Sequence, residues 1–372
     1  MSLIAGTTLV VAGVLPGFLT ASLAPRIRGD FAFSDSALGL AVAIFYVVGT
    51  VSSTPFGSLV DRIGARRGVR VAAGMTAVSC AAIAALPQSA VALVAFLVIG
   101  GLGNALAGPA VSALLKRAVA THRHGLAFGM QQAGAPLGAL LAGLALPAVA
   151  IPLGWRWAYV AAAALALAAV ALMPTNGTVA APAPRARDRQ GGLGAVHALG
   201  LAAVFASAAG VGFVAFLVLY AVHSGISEAA AGLLLGAVSL AATLSRIGLG
   251  ALADRGQADP LGPVGAMLAA SAGGYLLLIV GEPVAVVVGA LIVGTLGWAW
   301  PGALTLAVVQ RTPDAPAWAV GLMMSGLFAG AVCGPLVVGL LAEHGAYTGA
   351  WGLCAGLAVL SALTVVATKR AA

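Results

Sequence analysis

Arg246 is the side chain with the most chemistry to explain. It stands inside an apolar run, 229–252, and Gly250 and Asp254 follow it at four-residue intervals. Helical spacing puts Ser239, Thr243, Arg246, Gly250 and Asp254 on one stripe. A guanidinium stays charged and offers a planar fork of donors that matches a carboxylate or a nitrate-like anion. Inside a membrane helix it costs at least ~2.5–3.5 kcal/mol, so it faces a wet cavity or a partner. Two roles stand open for it: contact with a small anion, or pairing with helix carbonyls in gating and structure. Gln131 and Gln132 lie at about the same depth in another apolar run, 124–151.

The elements that carry these residues are membrane spans. Charged residues are 8% of the 372 and apolar ones 61%, far from the roughly 25% charge of a soluble domain. Apolar runs fall at 3–24, 37–60, 69–87, 90–115, 124–151, 156–173, 195–221, 229–252, 262–281, 283–308, 318–342 and 347–367. Each is long enough to cross a ~30 Å hydrocarbon layer. The first starts near Leu3 without a basic leader or an A-x-A site and reads as a permanent helix. Cys80, Cys333 and Cys354 lie far apart in apolar runs and show neither metal-ligand nor disulfide spacing.

The net charge of +8 does not point to nucleic acid. Of the 18 Lys and Arg, 14 fall in 57–70, 116–123, 185–189, Arg255, Arg311 and Lys369–Arg370, all on one side of the spans. Arg26, Arg28 and Arg156 fall on the other. This is the positive-inside bias, and it predicts a cell-membrane protein with both termini cytoplasmic. The Pro-, Gly- and Arg-containing stretch 174–194 reads as a cytoplasmic linker between a bundle over 1–173 and another over 195–372.

The halves repeat. Shifted by 193 residues, 34–62 lies on 227–255 without a gap, and Ser34, Gly39, Thr50, Gly57, Leu59, Asp61 and Arg62 recur as Ser227, Gly232, Thr243, Gly250, Leu252, Asp254 and Arg255. The stripe Tyr46, Thr50, Ser53, Gly57 and Asp61 matches the Arg246 stripe, with Ser53 in the place of the arginine. Paired six-helix halves are a transporter signature, with the substrate where the halves meet.

The segment GSLVDRIGARR, Gly57 to Arg67, has the pattern G-x-L-x-D-R-x-G-x-R-R, echoed as GALADR at Gly250 to Arg255. It resembles the loop between the second and third helices of the major facilitator superfamily of transporters. GLGNALAGPAVSALLKR (101–117), GMQQAGAPLGALLAG (129–143), GWRWAYV (154–160) and GLFAGAVCGP (326–335) resemble that family's fourth, fifth, sixth and eleventh helices. The resemblance covers essentially the whole chain and implies an all-α membrane protein, with twelve helices in two pseudo-symmetric six-helix bundles.

The resemblance also implies roles. Asp61 would meet the amino end of a helix from the other half, where a carboxylate complements the helix dipole. Arg62, Arg66 and Arg67 would add charge pairs that hold the cytoplasmic side shut, with Gly57 packing closely and Asp254 and Arg255 as the echo. The alternative is a loop that only sets topology. The spacing of Arg246, Gly250 and Asp254 is similar to the eighth helix of monocarboxylate transporters, where the arginine binds the substrate carboxylate. Helix 5 would pack beside helix 8, so one amide of Gln131 or Gln132 is expected to reach Arg246 or its ligand; the alternative is a role in helix–helix hydrogen bonding alone. Helices 1, 4, 7 and 10 would line the cavity, with Tyr46 on helix 2 beside them. They offer Asn104 as a donor or packing group, Phe213 and Phe216, Trp298 as a wall, and Trp300 facing either cavity or lipid.

The expected function is therefore a secondary active or facilitative transporter of a small organic or inorganic anion, with protons as a candidate co-substrate and no cofactor, working as a monomer in the bilayer. An exporter of amphiphilic compounds, with Arg246 structural, is the alternative. No Asp, Glu or His falls mid-span, which weakens proton coupling through a side chain. A receptor would call for a sensing domain, and an enzyme for a nucleophile–base pair, metal cluster or phosphate loop; no stretch supplies one.

Overall fold

In lipid every backbone polar group needs an internal partner, so long apolar stretches resolve into helices. The computed structural model describes residues 2–23, 26, 27, 30, 35–86, 89–173, 193–255 and 259–370, and among them all the regular structure is helical. The helices are α1 (Ser2–Ser22), α2 (Asp35–Ile63), α3 (Ala65–Ala85), α4 (Ala90–Ala118), α5 (His124–Ala145) and α6 (Trp155–Ala171). After 174–192, outside the described residues and holding most of the expected linker, come α7 (Leu193–His223), α8 (Glu228–Arg255) and α9 (Leu261–Val280). The tenth span is broken into α10a (Pro283–Ile292) and α10b (Pro301–Arg311), followed by α11 (Pro316–Glu343) and α12 (Tyr347–Arg370). Ten spans among the described residues are long and apolar enough to cross a membrane. The other two are α5, diluted by its glutamine pair, and the 17-residue α6. Arg28 and residues 185–189, part of the expected charge bias, also lie outside the described residues.

Two local breaks are set by residue type. Gly64 alone separates α2 from α3 and holds a φ of 89°, a left-handed value that favours glycine. Within the tenth span the helix widens into a π turn at Val293–Gly297 and restarts at Pro301, which suits a first helical position because it needs no N–H donor.

The bundles α1–α6 and α7–α12 meet chiefly along two seams, α2 against α11 and α5 against α8. At both seams glycine lets backbones touch. A Cβ on Gly57 would overlap the Ala317 carbonyl, and one on Gly250 would overlap the Gly125 carbonyl. One turn higher, Gly321 rests on the Ser53 carbonyl and Gly129 on the Arg246 carbonyl. The sequence repeat is thus a repeat of contacts. Outside, Val51, Val91, Leu233 and Val284 are more than two-thirds exposed, an apolar jacket suited to acyl chains.

The seam makes a testable distinction between glycines of one helix. Gly250→Ala puts a methyl into backbone and should destabilise the protein by about 1–3 kcal/mol. Gly248→Ala, where a Cβ meets nothing within 4 Å, should be neutral or stabilising by up to about 1 kcal/mol. Thermal unfolding in detergent compares them, and equal melting temperatures would show that the seam tolerates the methyl.

Candidate functional site

Below the cavity lies a seal. The Asp61 carboxylate, at the foot of α2, accepts from the backbone N–H groups of Ala317 (3.2 Å) and Trp318 (2.8 Å) in the first turn of α11. Asp254, at the foot of α8, accepts from Gly125 (2.6 Å) and Leu126 (2.8 Å) in the first turn of α5. The first helical turn has unpaired N–H donors and a positive dipole end, so each carboxylate meets both needs at once. Lys116 at the end of α4 donates to the Pro313 carbonyl across the halves (2.9 Å). With Arg117 it directs positive charge toward Asp61.

Two of the three arginines expected to pair here, Arg62 and Arg67, do not do so among the described residues. Arg62, Arg67 and Arg255 are exposed and make no ion pair among the described residues. An ion pair joins Arg311 to Asp259 at 2.9 Å, within the second half. Long exposed side chains gain little from pairing in water, whereas the helix ends beside Asp61 and Asp254 are fixed. Arg66 is half-buried at the start of α3.

Above the seal the halves part around a cavity of about 380 Å³. Its lower wall carries Arg246, Gln131, Gln132, Asn104, Trp298 and Tyr46. It extends past Phe18 of α1, Leu144 of α5, Val214 of α7 and Gly232 of α8, away from the motif loops. The molecule is therefore in the state sealed at the motif loops and hollow toward the opposite face.

Arg246 is 4% exposed and is gripped by backbone. Its Nε donates to the Trp298 carbonyl (2.9 Å) and an Nη to the Gln132 carbonyl (2.5 Å). Both carbonyls are orphans of helix geometry. Four residues beyond Gln132 stands Pro136, which has no N–H to return the bond, and the Trp298 carbonyl lies in the break of the tenth span. The guanidinium carbon also sits 5.2 Å from the centre of the Trp298 ring, a cation–π contact. Among the described residues no carboxylate neutralises it.

Of the two roles expected for the glutamines, the structure shows helix–helix hydrogen bonding. Neither amide reaches Arg246. Gln131 donates to the Gly108 carbonyl (3.1 Å) and exchanges hydrogen bonds with Ser112, tying α5 to α4. Gln132 donates to Thr305 Oγ1 (3.0 Å), tying α5 to α10b. What Gln132 offers Arg246 is its backbone. Asn104 and Tyr46, by contrast, make no side-chain hydrogen bond to protein among the described residues, so their polar ends stand free on the wall.

Two aromatic expectations also change. Phe213 is fully buried against Tyr275 and Trp351, behind α7, and Phe216 faces Gly339 of α11; neither lines the cavity. Helix α7 contributes Ser207, Val211 and Val214 instead, side chains with no distinctive signal in the sequence. Trp300 faces the interior, 1% exposed, and not lipid.

A family model described as the Major Facilitator Superfamily matches residues 7–317. The chain belongs to this superfamily. Superfamily members of known structure share its fold at low identity. The E. coli fucose:proton symporter FucP superposes with a TM-score of 0.79 at 13% identity, covering 98% of each chain. The human organic anion transporter MFSD10 gives 0.77 at 16%, again over 98% of each. The proton:xylose symporter XylE gives 0.76 at 16%, over 97% of this chain and 94% of that one. No curated protein sequence matches. Superfamily membership makes the protein a multi-pass membrane transporter.

The seal predicts a conformational effect. Asp61→Asn and Asp254→Asn should each weaken the closed state by about 0.5–2 kcal/mol. With Cys80, Cys333 and Cys354 replaced by Ser, maleimide should label Thr54→Cys, which faces Ser325 across the α2–α11 seam, faster in the Asp61→Asn background. Unchanged labelling would show that the carboxylate does not hold this seam.

Proposed function

We propose that this transporter is a secondary carrier, active or facilitative, that moves a small organic or inorganic anion by alternating access. The observation that carries the reading is the unneutralised guanidinium of Arg246 on the wall of a central cavity. Its fold partners satisfy Nε and one Nη through neutral carbonyls, leaving the net charge for a ligand. Asn104 and Tyr46 are polar groups that would complete the site, with Trp298 as a wall and Gln131 and Gln132 fixing its floor. One solved relative in fold is described as an organic anion transporter, which agrees with the reading.

Alternating access then means release of the Asp61 and Asp254 contacts, with Gly57 and Gly250 marking the faces that part. We place the protein in the cell membrane as a monomer, both termini cytoplasmic, with halves over 1–173 and 195–372 joined by 174–194. No Asp, Glu or His lines the cavity among the described residues. Proton symport, known by description for FucP and XylE, would here draw on the substrate's own ionisation. The apolar upper walls, with Val14, Phe18, Val214 and Phe328, favour the second reading, an exporter of amphiphilic compounds with Arg246 as a structural clamp.

A ligand panel separates them. Purified protein is heated with small carboxylates, nitrate, cyanate and amphiphilic cations, as wild type and as Arg246→Lys, which keeps the charge but loses the fork. An anion at about 100 times its Kd should stabilise the wild type by roughly 2.7 kcal/mol and the variant far less. Stabilisation by cations alone, or an anion effect equal in both proteins, would sink the anion reading.

A further inference from the structure

The two seams that match at the seal diverge above it. On the α2–α11 side the wall is plugged: a Cβ on Gly49 would run into the Phe328 ring, and Tyr46 packs beside that ring at 6.2 Å between centroids. On the α5–α8 side the helices stand apart above Gln132 and Arg246. Helix α8 turns Gly232, Leu235, Gly236 and, nearer the arginine, Ser239 to the cavity, and α5 turns Leu140, Gly143 and Leu144. A Cβ on Gly143, Gly232 or Gly236 would meet nothing within 4 Å. Leu140 and Leu144 remain 45% and 53% exposed. The repeat counterparts of Leu235 and Gly236 are Val42 and Ala43, and neither reaches the cavity.

The result is a cleft with a cation at its foot, the Ser239 hydroxyl above it, and apolar walls beyond. From Arg246 to Gly236 it climbs ten residues of α8, about 15 Å. Its outer edge adjoins Leu233 and Leu240, which belong to the exposed apolar jacket, so the cleft opens sideways onto hydrocarbon. A hydrophilic anion or a sugar would want donors along such walls. An amphiphile wants this order: charge at the bottom, methylenes above.

We propose that the α5–α8 cleft is a lateral passage that takes the apolar chain of a single-chain carboxylate amphiphile, its headgroup on Arg246, and exchanges it with the lipid leaflet away from the motif loops. The inference rests on the reading of Arg246 as an anion site and adds the chemical class of the substrate. A methylene moved from water into the cleft is worth a factor of about four in affinity. The gain accumulates until the chain passes the rim.

Binding of radiolabelled hexanoate and decanoate to the protein in lipid nanodiscs tests this, with free aqueous concentrations measured and uptake by empty discs subtracted. Decanoate should bind more tightly than hexanoate by at least about tenfold. Gly236→Phe and, independently on the facing helix, Leu140→Trp add bulk to open space. Each should cut the decanoate advantage to about threefold or less while hexanoate stays within about twofold of wild type. Equal affinity for the two acids, or an advantage that survives both blocks, overturns the passage while the anion site stands. Binding of both acids that is unchanged in Arg246→Lys overturns the anion reading itself.

Discussion

A carbonyl without a donor is expensive in lipid, and the centre of this protein is arranged around two of them. Pro136 strips the Gln132 carbonyl of its helical partner, and the break in the tenth span strips that of Trp298. Arg246 supplies donors to both and so pins α5, α8 and α10 to one point at the cavity floor. At the equivalent position of the other half the demand is absent: Ser53 turns its hydroxyl back to the Gly49 carbonyl of its own helix. The cation therefore serves the fold and remains a charge on the cavity wall. These roles do not compete, because the bonds it makes are to neutral groups.

The seal obeys a different logic, that of symmetry. Asp61 and Asp254 each cover the donors of a helix that begins in the opposite half, and a glycine one turn above each lets backbone meet backbone. Two equivalent contacts thus close the two seams in the same way. Asymmetry begins at the first turn above the seal, where Arg246 replaces Ser53 and Phe328 fills the space over Gly49.

Much of this was legible in the chain because it depends on period and spacing. The spans and the 193-residue repeat follow from where residues stand along a helix, and the contact of Asp61 with an incoming helix was implied by the family resemblance. What was not legible depends on rotation about the helix axis and on side-chain torsions. Gln131 and Gln132 have the right depth to meet Arg246, yet packing turns their amides to Ser112 and Thr305. Phe213 has the right depth for the cavity and the wrong azimuth, falling behind α7 onto Tyr275 and Trp351. The exposed arginines of the motif loop had the right charge, but nothing in their spacing ranks an ion pair in water below a carboxylate on a helix end. One signal was present and unread: a proline four residues after Gln132 announces a free carbonyl there.

That proline ties two distant positions into one unit of inheritance. A lineage that lost Arg246 while keeping Pro136 would carry an unpaired carbonyl at the core of α5; one that lost Pro136 while keeping Arg246 would let the helix reclaim its acceptor and leave the cation with a donor unpaired. Neither change is neutral alone; both together restore the α5 bond and leave only the Trp298 carbonyl in need of a new donor. Positions 136 and 246, 110 apart in sequence, should accordingly drift as a pair among the chain's descendants.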